Sequence, residues 1–369
     1  MNNHPNNMKR TLLSFVTLVA SAISATAQSP YISRVFEYRP APGQFVNELP
    51  YYDEGDTAED MALKAEECLA HNERVLISLG SYGGYVIFGF DHMVENRPGL
   101  MDLEILGNAF YSNANPNASA SKEGGSCEPG IVMVSHDDND NGMPDDAWYE
   151  LAGSEYHSPA TTHHYSITYY RPDEDKERTP YPGYAFINDT SYVRWTDNLG
   201  HTSHVYRNVY HNQSYWPQWI ECDELTFEGT LLADNYVDES GAGNYYVQYA
   251  YAWGYVDNHP NTDDRSKFNI EWAVDASGHP VNLLGIHFVK VYTGVNQYCG
   301  WLGETSTEIM GANDLHLLDM EVSSIQQRES KFQKSMTFHT LDGRCISPPL
   351  VPGTYIERTG TDTRKIIIK

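Results

Sequence analysis

Basic residues are scarce in this chain. Its 369 residues include 24 Lys and Arg against 50 Asp and Glu, a formal charge of −26. So acidic a surface repels phosphate backbones and anionic lipid, which argues against nucleic acid as a partner and favours divalent cations. Cysteine is scarce too. The five residues, Cys68, Cys127, Cys222, Cys299 and Cys345, form no C-x-x-C pair, which argues against a zinc knuckle or a thioredoxin-like site. Their odd number leaves at least one thiol unpaired or pairing between chains. Beyond residue 27 no stretch is long and apolar enough to cross a bilayer. The G-x-S-x-G elbow, the phosphate-binding Walker loop and H-E-x-x-H are all missing, and no internal repeat is visible.

What comes first is a processing signal. Lys9 and Arg10 precede a short apolar stretch at 11–25, and "ATA" at 25–27 has the small residues of a cleavage site. The expectation is a signal peptide over 1–27 and an exported mature protein without a membrane span. No cysteine follows the cut, so a lipid anchor is not expected. Removal takes away two basic residues and no acid, moving the formal charge from −26 to −28.

Aromatic residues are abundant at 12 %, with 27 Tyr and 7 Trp. They suit strands and stacking surfaces, having an apolar face and, in Tyr and Trp, a polar edge. One helix is expected, capped by Asp56 or Thr57, with Met61, Ala65, Cys68 and Leu69 on its apolar face and its end near Asn72. Everything after it reads as β. Short runs rich in branched and aromatic residues recur at 74–80, 85–90, 103–107, 131–135, 148–151, 165–170, 192–195, 219–222, 225–232, 245–253, 268–274 and 286–294. Residues 314–320 read as the last core strand. The fold class is therefore all-β, a β-sandwich of jelly-roll type with one N-terminal helix and a small β-tail. The core spans 28–320, a polar linker 321–335, and a compositionally distinct tail 336–369.

The densest chemistry is "HDDNDNGMPDD" at 136–146. Carboxylates this close repel unless water or a cation intervenes. Calcium takes six to eight hard oxygens, and alternate residues of a tight loop can turn toward one centre. Asp137, Asn139 and Asn141 occupy those positions. Gly142 allows the turn, Met143 offers its carbonyl, and Asp145 stands where a later ligand would. This ligand order resembles the calcium loops of dockerins and thrombospondin type 3 repeats. An EF-hand would have Glu at its twelfth position, but here that residue is Trp148, and strands flank the loop. Another group must complete the shell: Asp146, Glu128 or Glu150. The Ca2+ is expected to be structural, and a bare solvated loop is the competing reading.

Two aromatic, polar stretches suggest a ligand surface, "YHNQSYWPQW" (210–219) and "YAWGYVDNHP" (251–260). Trp216, Trp219, Trp253 and Tyr255 could stack on a ligand while Asn212, Asp257 and Asn258 hydrogen-bond its edge. Taken singly, each Trp reads more readily as core, and only the clustering lifts the surface reading. His163, His164, His201, His204 and His211 do not converge by spacing. A glycosidase needs two carboxylates across a cleft, and 50 acids name no particular pair.

Several stretches together resemble a group of Bacteroidetes cell-surface proteins of the PKD-domain type. They are "LGSYGGYVIFGFDHMVENRPG" (79–99), "GNAFY" (107–111), "EPGIVMVSHDDNDNGMPDDAWYELAGSEY" (128–156), "YYRP" (169–172), "WTDNLG" (195–200), "YAWGYVDN" (251–258) and "HFVKVYTGVNQYCGWLGETSTEI" (287–309). The resemblance implies a surface location and, through some relatives, an association with outer-membrane corrinoid uptake. It implies no catalytic residues. The tail, with "LDGR" (341–344), "GTYI" (353–356) and "RKIIIK" (364–369), resembles the C-terminal sorting domain of type IX secretion, in a shorter form than usual. A vestigial β-tail is the other reading.

Taken together, these features lead to the expectation of an exported, calcium-stabilised, non-catalytic binding protein for an extracellular glycan or small molecule. A calcium-dependent glycan hydrolase or lyase would instead show paired carboxylates in a deep cleft. A structural or adhesive protein would show no pocket.

Overall fold

Thr57 caps α1 (Ala58–Leu69), the one long helix among the described residues. Its hydroxyl accepts from the Asp60 amide while the Asp60 carboxylate accepts from the Thr57 amide, so two otherwise unpaired donors are satisfied reciprocally. Lys64 reaches back to Asp53 and Asp56 and ties the entry loop to the helix. Met61, Ala62, Ala65 and Leu69 are buried, and Cys68 is half-buried. The structure, a computed structural model, describes residues 28–112, 123–319, 336–340, 344–346, 351–359 and 362–369. The signal peptide expected at 1–27 and the linker at 321–335 lie outside the described residues.

The main strands in chain order are β1 (Arg34–Arg39), β2 (Tyr85–Glu95), β3 (Gly130–Ser135), β4 (Trp148–Leu151), β5 (Thr162–Tyr170), β6 (Ile187–Asp197), β7 (Thr202–Asn208), β8 (Glu224–Leu231), β9 (Ala273–Val274) and β10 (Gly285–Thr293). Six of them form a central antiparallel sheet in the order β1-β2-β10-β3-β4-β9, and four form a second in the order β7-β6-β5-β8. The class is all-β and sandwich-like.

Both faces of the central sheet are covered. Val86, Phe88, Val132, Val134, Val289 and Val291 pack against Met61, Ala65 and Leu69 of the helix and against Leu103, Ile105 and Phe268. From the other face, Ile131 and Tyr292 pack against Tyr165, Ile167, Tyr169, Leu225 and Phe227 of the second sheet. Side chains alternate between faces with a period of two, so strands buried on both sides lose the polar alternation and read as continuous apolar runs. Tyrosine suits the second interface because its ring fills volume and its hydroxyl finds a partner. Tyr169 donates to the Tyr82 carbonyl at 3.1 Å, and the Tyr292 hydroxyl accepts from the Thr230 amide at 2.9 Å.

Two expected strands are absent. Residues 219–222 form turn and loop: Pro217 precedes them, and Trp219 packs between Tyr38 and Tyr52 with ring centroids at 5.7 and 6.1 Å. The strand expected at 314–320 is Gly311–Asp314, after which 315–319 turn helical. The strand β7 was not expected from the sequence. It pairs with β6 across the tight turn at 198–201. Cys68, Cys127, Cys222 and Cys299 are free thiols. In the tail, Met336–His339, Cys345–Ile346, Gly353–Thr359 and Asp362–Ile368 form a small antiparallel sheet of their own.

Candidate functional site

The acidic loop closes on itself directly after β3. Asp137 is buried, and its two carboxylate oxygens accept from the amides of Asn141 at 3.1 Å and Gly142 at 2.8 Å. Gly142 and Asp140 both take positive φ, 71° and 54°, which turns the chain back. The Asn139 and Asn141 carboxamides reach Asp145 at 3.0–3.2 Å, so three of the expected side chains meet. The carboxamide oxygens accept from backbone amides, Asn139 from Asn141 at 3.1 Å and Asn141 from Met143 at 2.7 Å, so a hard cation here would draw on their remaining lone pairs and on the Asp137 and Asp145 carboxylates. The Met143 carbonyl accepts from the Asp145 amide at 2.9 Å, and Asp146 accepts from the Asp138 amide at 3.0 Å. His287 closes the base of the loop, its Nδ1 accepting from the Asp137 amide at 3.1 Å.

Glu128, expected as an additional ligand here, lies elsewhere. It precedes β3 whereas the loop follows it, and a strand of this length separates its ends by on the order of 20 Å. Glu150 points away from the loop as well. It accepts from the Thr230 hydroxyl at 2.7 Å and lines a different cavity with Met133, His163 and Tyr292.

The expected aromatic platform is not formed as an open surface. Trp216, Trp219 and Tyr255 are buried. Trp216 packs with the second-sheet core and its indole N–H donates to the Ile220 carbonyl at 3.4 Å. The Tyr255 hydroxyl accepts from the Glu155 amide. Asn258 is fully buried, and its carboxamide bonds both the amide and the carbonyl of Tyr251, which makes it the staple of its own loop. Trp253 is 38 % exposed and packs against Trp272 with tilted rings, centroids 4.6 Å apart, while Asn212 is exposed and bonds the Val209 carbonyl. Clustering in sequence reflected local packing here, because large rings bury more free energy inside than on a face.

Glu128 and Asp257, taken from the sequence as parts of two different sites, meet in a third place. With Glu308 they form a cluster whose carboxylate oxygens lie within 4.8 Å of one another. Asp257 has φ +56° and is held from two sides, accepting from the Asn108 amide at 2.8 Å and the Glu308 amide at 3.0 Å. Gly107 makes this approach possible, because a Cβ there would sit 2.6–2.8 Å from Asp257. Glu128 accepts from Ser126 at 3.2 Å and from the Gln248 carboxamide at 3.3 Å. Glu308 sits in a short strand paired with Ile77–Ser78, and the Ser78 hydroxyl is 3.4 Å from its carboxylate.

Glu128 and Glu308 line a cavity of about 410 Å³ together with Glu304, Ser126, Gln248, Ser306, Phe45, Tyr210, His211 and Trp301. Its floor is carboxylate and its rim aromatic. Burial pushes the carboxyls of Glu128, Asp257 and Glu308 above the usual range, with charge repulsion inside the cluster adding to the rise at Asp257 and Glu308. Burial pushes Glu304 up to about 8. The lining contains no Lys or Arg. Four of the quoted stretches, 107–111, 128–156, 251–258 and 287–309, supply this site. What sequence reading missed is Glu304 and Glu308 within "GETSTE", two acids among small hydroxyl residues in a segment without charge of the other sign. No protein-family model matches the chain, and no curated protein matches it.

Proposed function

We propose that this is an exported, calcium-stabilised surface protein that captures an extracellular ligand in the acid-floored cavity without catalysing its conversion. The cavity itself carries this reading. Its 410 Å³ lies within the range of small-molecule sites, and it combines a few convergent polar groups with aromatic walls. Phe45, Tyr210 and Trp301 supply the stacking faces, and the carboxylates accept hydrogen bonds from hydroxyls or amides. A space of this size holds a saccharide unit or one arm of a corrinoid rather than a whole macrocycle. A surface protein of this kind would pass its ligand to an outer-membrane uptake complex, as the resemblance to Bacteroidetes cell-surface proteins suggests. The C-terminal sheet fits a type IX sorting tail.

A glycan hydrolase or lyase is the second reading, favoured by paired carboxyls in a cavity. Against it stands their spacing. Retaining and inverting glycosidases separate their carboxyls by about 5–5.5 or 6.5–9.5 Å to flank the scissile bond. Glu128 and Glu308 bring carboxylate oxygens within 4.8 Å of one another instead. Calorimetry of the mature protein against glycans and cobalamin, in calcium, tests both. Saturable heat from one ligand class with the ligand recovered intact is the expected result. Release of new reducing ends moves the assignment to a hydrolase, and no heat from any class removes the capture reading.

A further inference from the structure

We propose that Glu128, Asp257 and Glu308 hold a divalent cation, calcium by the chemistry of the donors, in the floor of the cavity and separate from the loop at 137–146. This goes beyond ligand capture and does not require it.

The first argument is charge. Three carboxylates share a space in which their oxygens lie within 4.8 Å of one another, and no Lys or Arg lines the cavity that Glu128 and Glu308 face. His211, the one other titratable nitrogen in the lining, is kept neutral by burial, which lowers its pKa. Ionised groups in such a place need a counter-charge, and only protons or a cation can supply it.

Glu304 gives the second argument, which is independent of the first. It is 7 % exposed and lines the same cavity. One carboxylate oxygen accepts from the Gln44 amide at 2.6 Å. The other, Oε2, is buried with no hydrogen-bond partner. A buried oxygen without a donor is costly, and in native structures it marks a missing ion or water. Glu304 lies outside the group whose oxygens come within 4.8 Å of one another, so a water bound to the cation gives Oε2 its partner.

Preorganisation is the third. Asp257 is fixed by two backbone amides and by the close approach of Gly107. Ser126 and Gln248 fix Glu128. The carboxylates are thus placed by neighbours rather than by one another, so the cation enters a built site. All three donors are hard oxygens, with the Ser126 hydroxyl beside Glu128 offering another, and this suits calcium over zinc.

The test counts ions. The mature protein is stripped with chelator, dialysed against calcium and analysed for bound metal per chain. Two ions are expected in the wild type, one in Asp137→Ala and one in Glu308→Gln. Glu128→Gln repeats the second measurement with a different carboxylate, and far-UV circular dichroism checks each fold. Should neither glutamine variant fold, Asp137→Ala alone decides: one retained ion supports the site, none overturns it. Full wild-type stoichiometry in both glutamine variants also overturns it and leaves shared protons as the counter-charge. A wild type with a single ion that Glu308→Gln removes and Asp137→Ala keeps upholds this site while removing the loop site. Ligand heat is measured separately, so loss of the capture reading leaves the ion count untouched.

Discussion

Glu128 and Glu308, from distant parts of the chain, bring carboxylate oxygens within 4.8 Å of one another. Buried carboxylates this close need a shared proton or a cation beside them. Their approach also closes the floor of the cavity, because it joins the segment before β3 to the strand pair at 77–78 and 308–309.

Asp137→Ala should destabilise the protein even in chelator, because the carboxylate anchors two backbone amides. The loss of two such bonds costs about 3 kcal/mol, or roughly 5–10 °C in melting temperature. Calcium should raise the wild-type melting temperature by more than that of the variant. Equal rises would mean that the loop holds no calcium.

The two tryptophans at 216 and 301 should separate stability from binding. Trp216→Ala empties a core position and should cost about 3–5 kcal/mol in denaturant unfolding. Trp301, 38 % exposed on the cavity rim, should tolerate alanine within about 1 kcal/mol while ligand affinity falls by roughly tenfold or more. An unchanged affinity would move the ligand elsewhere.

Glu150 gives a pH dependence. Burial raises its carboxyl to about 7, against the opposing Thr230 hydrogen bond. A carboxyl raised on folding holds its proton more tightly in the native state. Its contribution is therefore complete below its unfolded value and is lost as pH rises through about 7. Glu150 keeps some access to its cavity, so the loss is about 2 kcal/mol. Urea unfolding in calcium from weakly acidic to weakly alkaline pH should show a shallower decline for Glu150→Gln than for the wild type. Parallel curves would mean that this carboxyl titrates normally.

Gly107→Ala should damage the floor of the cavity from behind. The new methyl would meet Asp257 well inside van der Waals contact, and overpacking of this kind costs about 1–3 kcal/mol. Thermal melts should show that loss, together with a weakened calcium response. A variant as stable as the wild type would show that the loop at 257 can move aside.

The architecture was legible where physics is local. Alternation and turn residues marked most strands, and Asp56 or Thr57 marked the helix start, which the structure gives to Thr57. The acidic loop was legible as a unit because its partners lie within one turn of chain. The cavity was not. Glu128, Asp257 and Glu308 come together only through the pairing of Gly130 with Val256 and of Glu308 with Ser78, contacts that no window of sequence contains. The tryptophans misled for the same reason. A ring beside polar residues reads as a surface until the neighbouring sheet that covers it is known.

Strand β3 runs from the acid cluster at one end to the acidic loop at the other, with Val132 and Val134 facing the helix layer and Ile131 facing the second sheet. A one-residue insertion or deletion anywhere in 129–136 would turn every side chain to the wrong layer and shift either Glu128 or Asp137 out of its setting. Across variants of this protein, length changes should therefore collect in exposed connections such as 171–186, while this stretch varies only by substitution.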